Sequence, residues 1–138
     1  MSSVLNEVVS SDLEELILVN SQDENVGTRP KRECHLGQGE LHRAFSVFIF
    51  NAAGEVLLQQ RTAQKFLWPL YWSNACCSHP RAGEDSEDAA HRRLAQELGI
   101  SVPLTYLYKF EYHAQYQNIG SEHELCWVWI GFAEAKDI

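Results

Sequence analysis

No stretch of this sequence approaches the roughly 20 apolar residues that cross a bilayer as a helix, so no helical membrane span is expected. Met1 to Asp12 carries neither a basic segment nor an apolar core, so no secretory signal is read there and a cytoplasmic protein is the expectation. Cations are also scarce: 11 Lys and Arg stand against 19 Asp and Glu, for a formal net charge of −8. A phosphate backbone is bound by a basic face, which argues against nucleic acid as the main partner. A small anion remains possible, provided that a few cations gather locally. Cysteine is limited to Cys34, Cys76, Cys77 and Cys126, two of them adjacent. Without a secretory signal these read as reduced thiols rather than as a disulfide framework. There is no internal repeat, low-complexity tract or linker, and 138 residues suffice for one core. The expected organisation is a polar, flexible tail over residues 1–15 and one domain over residues 16–138.

What is present alternates. Leu16–Asn20 reads as a short strand, Ser21–Gly27 as a turn-rich stretch, and Ala44–Phe50 as an apolar strand. A turn at Asn51–Gly54 and a strand at Val56–Gln60 complete an expected hairpin. Tyr71–Cys77 is a further strand. Ser86–Leu98 carries the helix signals: Glu87 and Asp88 in the first turn, Gly99 as the stop, and Ala90, Leu94 and Leu98 on one stripe. Arg93 and Glu97 form an i,i+4 pair on a neighbouring face. Tyr106–Tyr116 alternates, with Tyr106, Tyr108, Phe110 and Tyr112 expected on one side. Glu122–Phe132 is the last strand, with Glu122, Glu124 and Cys126 on one face. Strands flanking one helix give an α/β (α+β) domain with a mixed sheet.

Three constellations bear chemistry. His35, His42 and His79, with Glu122 and Glu124, are ligand types suited to a divalent first-row metal; scattered along a chain, such residues are more often solvated surface groups. Cys77-Ser78-His79-Pro80 projects a thiol and an imidazole to the same side of an extended backbone. Nearby cations would lower that thiol's pKa toward thiolate, although a buried structural cysteine is the commoner case, and Cys76 points the other way. The third is Gly83-Glu84 through Arg92-Arg93-Leu94-Ala95-Gln96-Glu97-Leu98-Gly99-Ile100, which resembles the Nudix box, a loop–helix–loop that binds diphosphate through divalent metal. Ser78 stands at the opening glycine, and Arg93 and Gln96 stand where the box usually carries acids. A hydrolase uses several carboxylates there to hold metals and activate water, so diphosphate binding is expected to survive and hydrolysis to be disabled.

These signals occur in one order with Leu41-His42-Arg43-Ala44-Phe45-Ser46, Trp68-Pro69, Trp72-Ser73-Asn74 and Glu122-His123-Glu124-Leu125-Cys126. From about Leu16 to Phe132 the chain resembles the type I isopentenyl-diphosphate isomerases, on a Nudix-like fold. The resemblance implies a divalent metal (Mn²⁺, Zn²⁺ or Mg²⁺) on His35, His42, His79, Glu122 and Glu124. It implies Mg²⁺ at Glu97, bridging to a substrate diphosphate, with Lys31, Arg61, Lys65 and Arg93 around that group, and neither flavin nor nicotinamide. The implied reaction is a 1,3-allylic proton shift in isoprenoid biosynthesis that interconverts isopentenyl and dimethylallyl diphosphate. Glu124 with Tyr112 would deliver a proton and Cys77 would remove one.

The implied partner is the small diphosphate alone, with no nucleic acid and no membrane, for a monomer or weak homodimer. Members of that family continue beyond the position of Ile138 with a segment that closes the site and brings a Trp; none of Trp68, Trp72, Trp127 and Trp129 matches that Trp by position. The chain therefore reads as C-terminally shortened. A Nudix diphosphate hydrolase and an inactive diphosphate-binding fragment are the competing readings.

Overall fold

A computed structural model describes residues 13–138. The expected tail, 1–15, falls for residues 1–12 outside the described residues, while Glu15 already belongs to the first strand. The elements are β1 (Glu15–Val19), β2 (Asn25–Pro30), α1 (Lys31–Cys34), β3 (His42–Phe50), β4 (Leu58–Gln60), β5 (Trp72–Asn74), β6 (Cys76–Ser78), α2 (Ser86–Leu98), β7 (Thr105–Tyr116) and β8 (Gly120–Phe132). A 3-10 turn at Ala135–Asp137 follows. Six strands form one sheet in the order β2-β1-β3-β8-β7, with β6 also on β3, and β4 pairs β5 separately. β3 and β8 run parallel, in register from His42 opposite Glu124 to Phe50 opposite Phe132. The other pairs are antiparallel, so the sheet is mixed, as expected.

The helix matches its sequence signals. Asp85 caps it, accepting a hydrogen bond from the Asp88 amide at 2.9 Å, and satisfies one of the donors that a helix start leaves open. Gly99 closes it in the left-handed region at φ 68°, a conformation that favours glycine. Ala90 and Leu94 are fully buried, and Leu98 is packed at the edge of the same cluster. This stripe lies on Phe45, Val47 and Ile49 of β3 and Trp129 of β8. Odd-numbered residues of both strands therefore face the helix, and the even-numbered ones face away.

Three expectations need correction. The 44–60 hairpin survives only as a bridge between Phe50 and Val56 and a Leu57 amide donating to the Ile49 carbonyl at 2.8 Å. β4 turns away from β3 to pair with β5 instead. The 71–77 strand is broken at Ala75, and its halves serve different sheets. Finally, Tyr106 does not share a face with Tyr108, Phe110 and Tyr112. The register shifts between Tyr106 and Tyr108, so an extra residue reverses the alternation. Tyr106 packs on Trp127 and Trp129, whereas Tyr108, Phe110 and Tyr112 stack along the opposite face. Strand β2 begins within the stretch expected as a turn, and helix α1 lies where no regular element was expected; Asn25–Pro30 carries no apolar alternation and is almost wholly exposed.

Candidate active site

The even-numbered face of β3 and β8 forms the floor of a cavity of about 720 Å³. His42 begins β3, Glu122 and Glu124 come from β8, Tyr112 from β7, and Cys77 from β6. His35 follows α1 and His79 follows β6. The register explains the gathering, because His42 pairs with Glu124 and Glu124 with Tyr112. Ring centroids of His35, His42 and His79 lie 5.2–5.8 Å apart. Their ligating atoms fall within 4.8 Å of one another. Glu124 Oε2 stands 3.3 Å from His42 Nε2 and 3.4 Å from His79 Nε2.

Backbone groups orient these imidazoles. The Nδ1 of His35 lies 3.1 Å from the Ser121 carbonyl, and that of His42 lies 2.8 Å from the Glu40 carbonyl. Each Nδ1 then carries the proton, leaving Nε2 with the lone pair. His42 Nε2 and His79 Nδ1 are buried without a hydrogen-bond partner, which is costly unless some other group completes them; the 3.3 Å approach of Glu124 to His42 lacks hydrogen-bond geometry. Burial lowers His35 to about 4 and His79 to about 3, which keeps both imidazoles neutral near pH 7. His42 is raised instead: burial disfavours its charge, but the Glu124 carboxylate beside it outweighs burial. The neutral imidazoles of His35 and His79, the unpartnered ring nitrogens of His42 and His79 and the adjoining carboxylates fit a first-row divalent cation, which would take the place of a proton on His42.

The Tyr112 hydroxyl is 2.5 Å from Glu124 Oε1 and 3.0 Å from Glu122 Oε2. It has one proton to donate and two carboxylates to serve. Glu122 is raised by burial and then by the Glu124 charge, so it is the carboxyl that keeps a proton more readily. Burial would also raise Glu124, yet His42 and His79 hold it well below the usual carboxylate range. Tyr112 is driven upward by burial and both carboxylates and remains a phenol.

Cys77 opens onto the cavity while Cys34, Cys76 and Cys126 are buried. Its Sγ donates to Asn74 Oδ1 at 2.8 Å and lies 3.5 Å from Ser46 Oγ. The expected lowering of its pKa is not what the protein's own groups produce: although solvent reaches the residue, the sulfur is set deep in the wall, and desolvation pushes it up to about 11. Cys76 points into the core, away from the cavity, as expected.

Lys31, Arg61, Lys65 and Arg93 all line the cavity. Arg61 is anchored by its Nε to the Trp68 carbonyl at 3.0 Å and by its Nη2 to the Leu67 carbonyl at 2.9 Å. Glu97 stands apart from the histidines, in an adjoining recess of about 430 Å³ that shares Arg61, Lys65, Cys77 and Arg93 with the cavity. There it accepts from Arg93, and from Gln59 at 3.0 Å. Sequence reasoning missed Arg32, Ser46 and Asn74, and took no role from Trp68 and Trp72, which line the wall. Ser46 was readable as the residue four beyond His42, on the same face of a strand. Asn74 was not, because its amide is aimed by the carbonyls of Val47 and Cys76, 2.8 and 3.0 Å from its Nδ2.

Residues 40–137 match the model of the NUDIX domain family. "Isopentenyl-diphosphate Delta-isomerase 1" of Photorhabdus laumondii is 47% identical over 88% of this chain and 70% of its own length. The chain belongs to the isopentenyl-diphosphate Delta-isomerase family. A second member, from Pectobacterium atrosepticum, is 44% identical over 88% of this chain and 68% of its own. Among solved structures, a Deinococcus radiodurans protein superposes with a TM-score of 0.71 at 23% identity, covering 88% of this chain and 74% of that one, which is a likeness of fold. Within this isomerase family, the chain keeps the mixed Nudix sheet with α2 packed on one face and the histidine–glutamate cluster on the other. Among the described residues, no helix is long and apolar enough to cross a membrane.

Proposed function

We propose that this protein interconverts isopentenyl and dimethylallyl diphosphate by an allylic proton shift, with residues 16–138 as the isomerase domain. The observation that carries the reading is the Tyr112 hydroxyl, 2.5 Å from Glu124 Oε1, in one cavity with Cys77. The strands that bear Glu124 and Cys77 flank β3 on opposite sides. A proton can then be added at one carbon and removed at another.

The cavity also matches an amphiphilic substrate. Lys31, Arg32, Arg61, Lys65 and Arg93 offer the diphosphate local positive charge despite the acidic chain. Phe66, Leu67, Trp68 and Trp72 give a five-carbon alkenyl group an apolar wall that excludes water. Water exclusion matters because a tertiary carbocation would otherwise be trapped as an alcohol.

In the forward direction the proton comes from Glu122, the carboxyl that retains one, passes through the Tyr112 hydroxyl that bridges the two carboxylates, and is delivered by Glu124 to the terminal alkene carbon. Cys77 takes one from the carbon next to the oxygen-bearing position, and the double bond moves inward. His35, His42, His79, Glu122 and Glu124 would hold a divalent cation, Mn²⁺, Zn²⁺ or Mg²⁺. When bound, that cation supplies positive charge that acidifies the Glu124–Tyr112 pair. Glu97 is assigned to Mg²⁺ at the diphosphate, for which its pairing with Arg93 must open. Lys31, Arg61, Lys65 and Arg93 bind the diphosphate.

The test is an assay of both isomers by chromatography with Mg²⁺ and Mn²⁺ present, with phosphate release followed in parallel. Conversion without phosphate release is expected. Phosphate release without conversion would return the protein to the hydrolases.

A further inference from the structure

Strand β7 is an edge of the six-stranded sheet. It pairs with β8 along its inner side, and among the described residues nothing pairs with its outer side. Its 12 residues therefore leave a long row of backbone donors and acceptors open. Every residue from Thr105 to Glu111 is exposed, Tyr106, Leu107, Tyr108 and Phe110 among them. The opposite edge, β2, has half that length and carries Gly27 and Pro30, which discourage pairing. An outward charge is the other common guard of an open edge. Lys109 does not serve as one, because its Nζ is drawn back to Asp23 Oδ2 at 3.0 Å and over the Trp127 ring, 4.9 Å from the centroid.

The exposed stretch is also complementary to itself. Tyr108-Lys109-Phe110-Glu111-Tyr112, laid antiparallel on a second copy about a two-fold axis at Phe110, sets Lys109 opposite Glu111 twice and no charge opposite its like. Both charged side chains keep 38–40% of their surface exposed, so a second copy can meet them. The same register sets Tyr108 opposite Tyr112. Tyr108, Phe110 and Tyr112 already stack as a row on the cavity side of β7, and the pairing continues that row from one copy into the next.

We propose that β7 is a self-pairing surface through which two copies of this chain join their sheets edge to edge as a symmetric dimer. Each copy then borders the strand that bears the other's Tyr112. The proposal does not depend on the isomerase reading.

Sedimentation equilibrium of the full chain is the test. A reversible equilibrium between one and two chains is expected for the wild type. Lys109→Glu and Glu111→Lys each set like charges face to face, and each should raise the dimer dissociation constant more than about tenfold. Mixed together, the two variants restore opposite charges across the interface, and native mass spectrometry is expected to show the heterodimer over either homodimer. Circular dichroism checks that both variants are folded. Because Lys109 also holds Asp23, a second readout uses the wild type alone: hydrogen exchange of the outward β7 amides should slow as protein concentration rises. A wild type that stays monomeric, charge variants that dimerise like the wild type, or β7 exchange that is independent of concentration overturns the proposal.

Discussion

The two faces of the β3–β8 pair differ in every property except their backbone. One face presents Phe45, Val47, Ile49 and Trp129 to Ala90 and Leu94 of the helix, dry and apolar. The other, one residue out of phase, presents Ser46, Glu122 and Glu124 to a cavity, with His42 and Cys126 buried on the same side. The same strands thus separate stability from chemistry by parity alone. The cavity face carries buried polar atoms that a folding optimum would avoid, among them the orphaned nitrogens of His42 and His79. The helix face contains the apolar packing that offsets them.

The comparison can be broken first on the cavity side. His79→Ala removes an imidazole that the carboxylate of Glu124 touches and should lower metal affinity and turnover by more than about 100-fold, since even outer partners of a metal ligand cost 10–100-fold. Metal titration with circular dichroism as a folding control checks it. Tyr112→Phe leaves the ring stack with Phe110 intact and deletes only the hydroxyl between Glu122 and Glu124. A fall of about 100-fold in kcat is expected, with little change in KM or metal content.

On the helix side the expected outcome reverses. Leu94→Ala empties a fully buried position and should cost about 2–5 kcal/mol in urea unfolding, while activity per folded molecule stays near wild type. Gly120 couples stability to the cavity itself, because a Cβ there would collide with the His35 carbonyl and lie 3.0 Å from Phe66 Cε2. Gly120→Ala should therefore cost about 1–3 kcal/mol and weaken metal binding together, unlike Leu94→Ala.

The smallest effect is pH dependence. His35 and His79 titrate near 4 and 3 in the folded chain, against an ordinary 6.5. Between 6.5 and those values the unfolded chain binds more protons, so stability rises with pH through the window and is lost as pH falls from about 6.5 toward 3. Glu124, held low, acts in the same sense at lower pH, whereas the raised His42 and Glu122 work against it. Urea midpoints at pH 7 and pH 5 should differ in that direction, with the lower value at pH 5.

Much of this division is legible in the sequence, and the reason is periodicity. Ala90, Leu94 and Leu98 declare the helix stripe, and Gly99 its end; Glu122, Glu124 and Cys126 declare the chemical face of β8. Periodicity carries no information about pairing partners. It could not show that β4 leaves β3 for β5, or that a bulge at residues 106–108 reverses Tyr106. Nor could it read β2, an exposed strand held by backbone pairing to β1. At the site, ligand types and order were readable through family resemblance, whereas the Asn74 contact to Cys77 depends on a strand break at Ala75 that no residue there announces. The Cys77 environment also ran against expectation, since desolvation outweighs the lowering by its Ser46 and Asn74 hydrogen bonds, and Glu124 and Glu122 add to the rise.

The claim that the cavity face performs a two-group proton shift is tested most directly by isotope exchange. Wild-type protein and Cys77→Ala are each incubated with isopentenyl diphosphate in deuterated water, with Mg²⁺ and Mn²⁺ present, and deuterium in both isomers is followed by NMR. The account predicts deuterium in dimethylallyl diphosphate for the wild type and none in that product for Cys77→Ala. Deuterated dimethylallyl diphosphate forming at the wild-type rate in Cys77→Ala would contradict it.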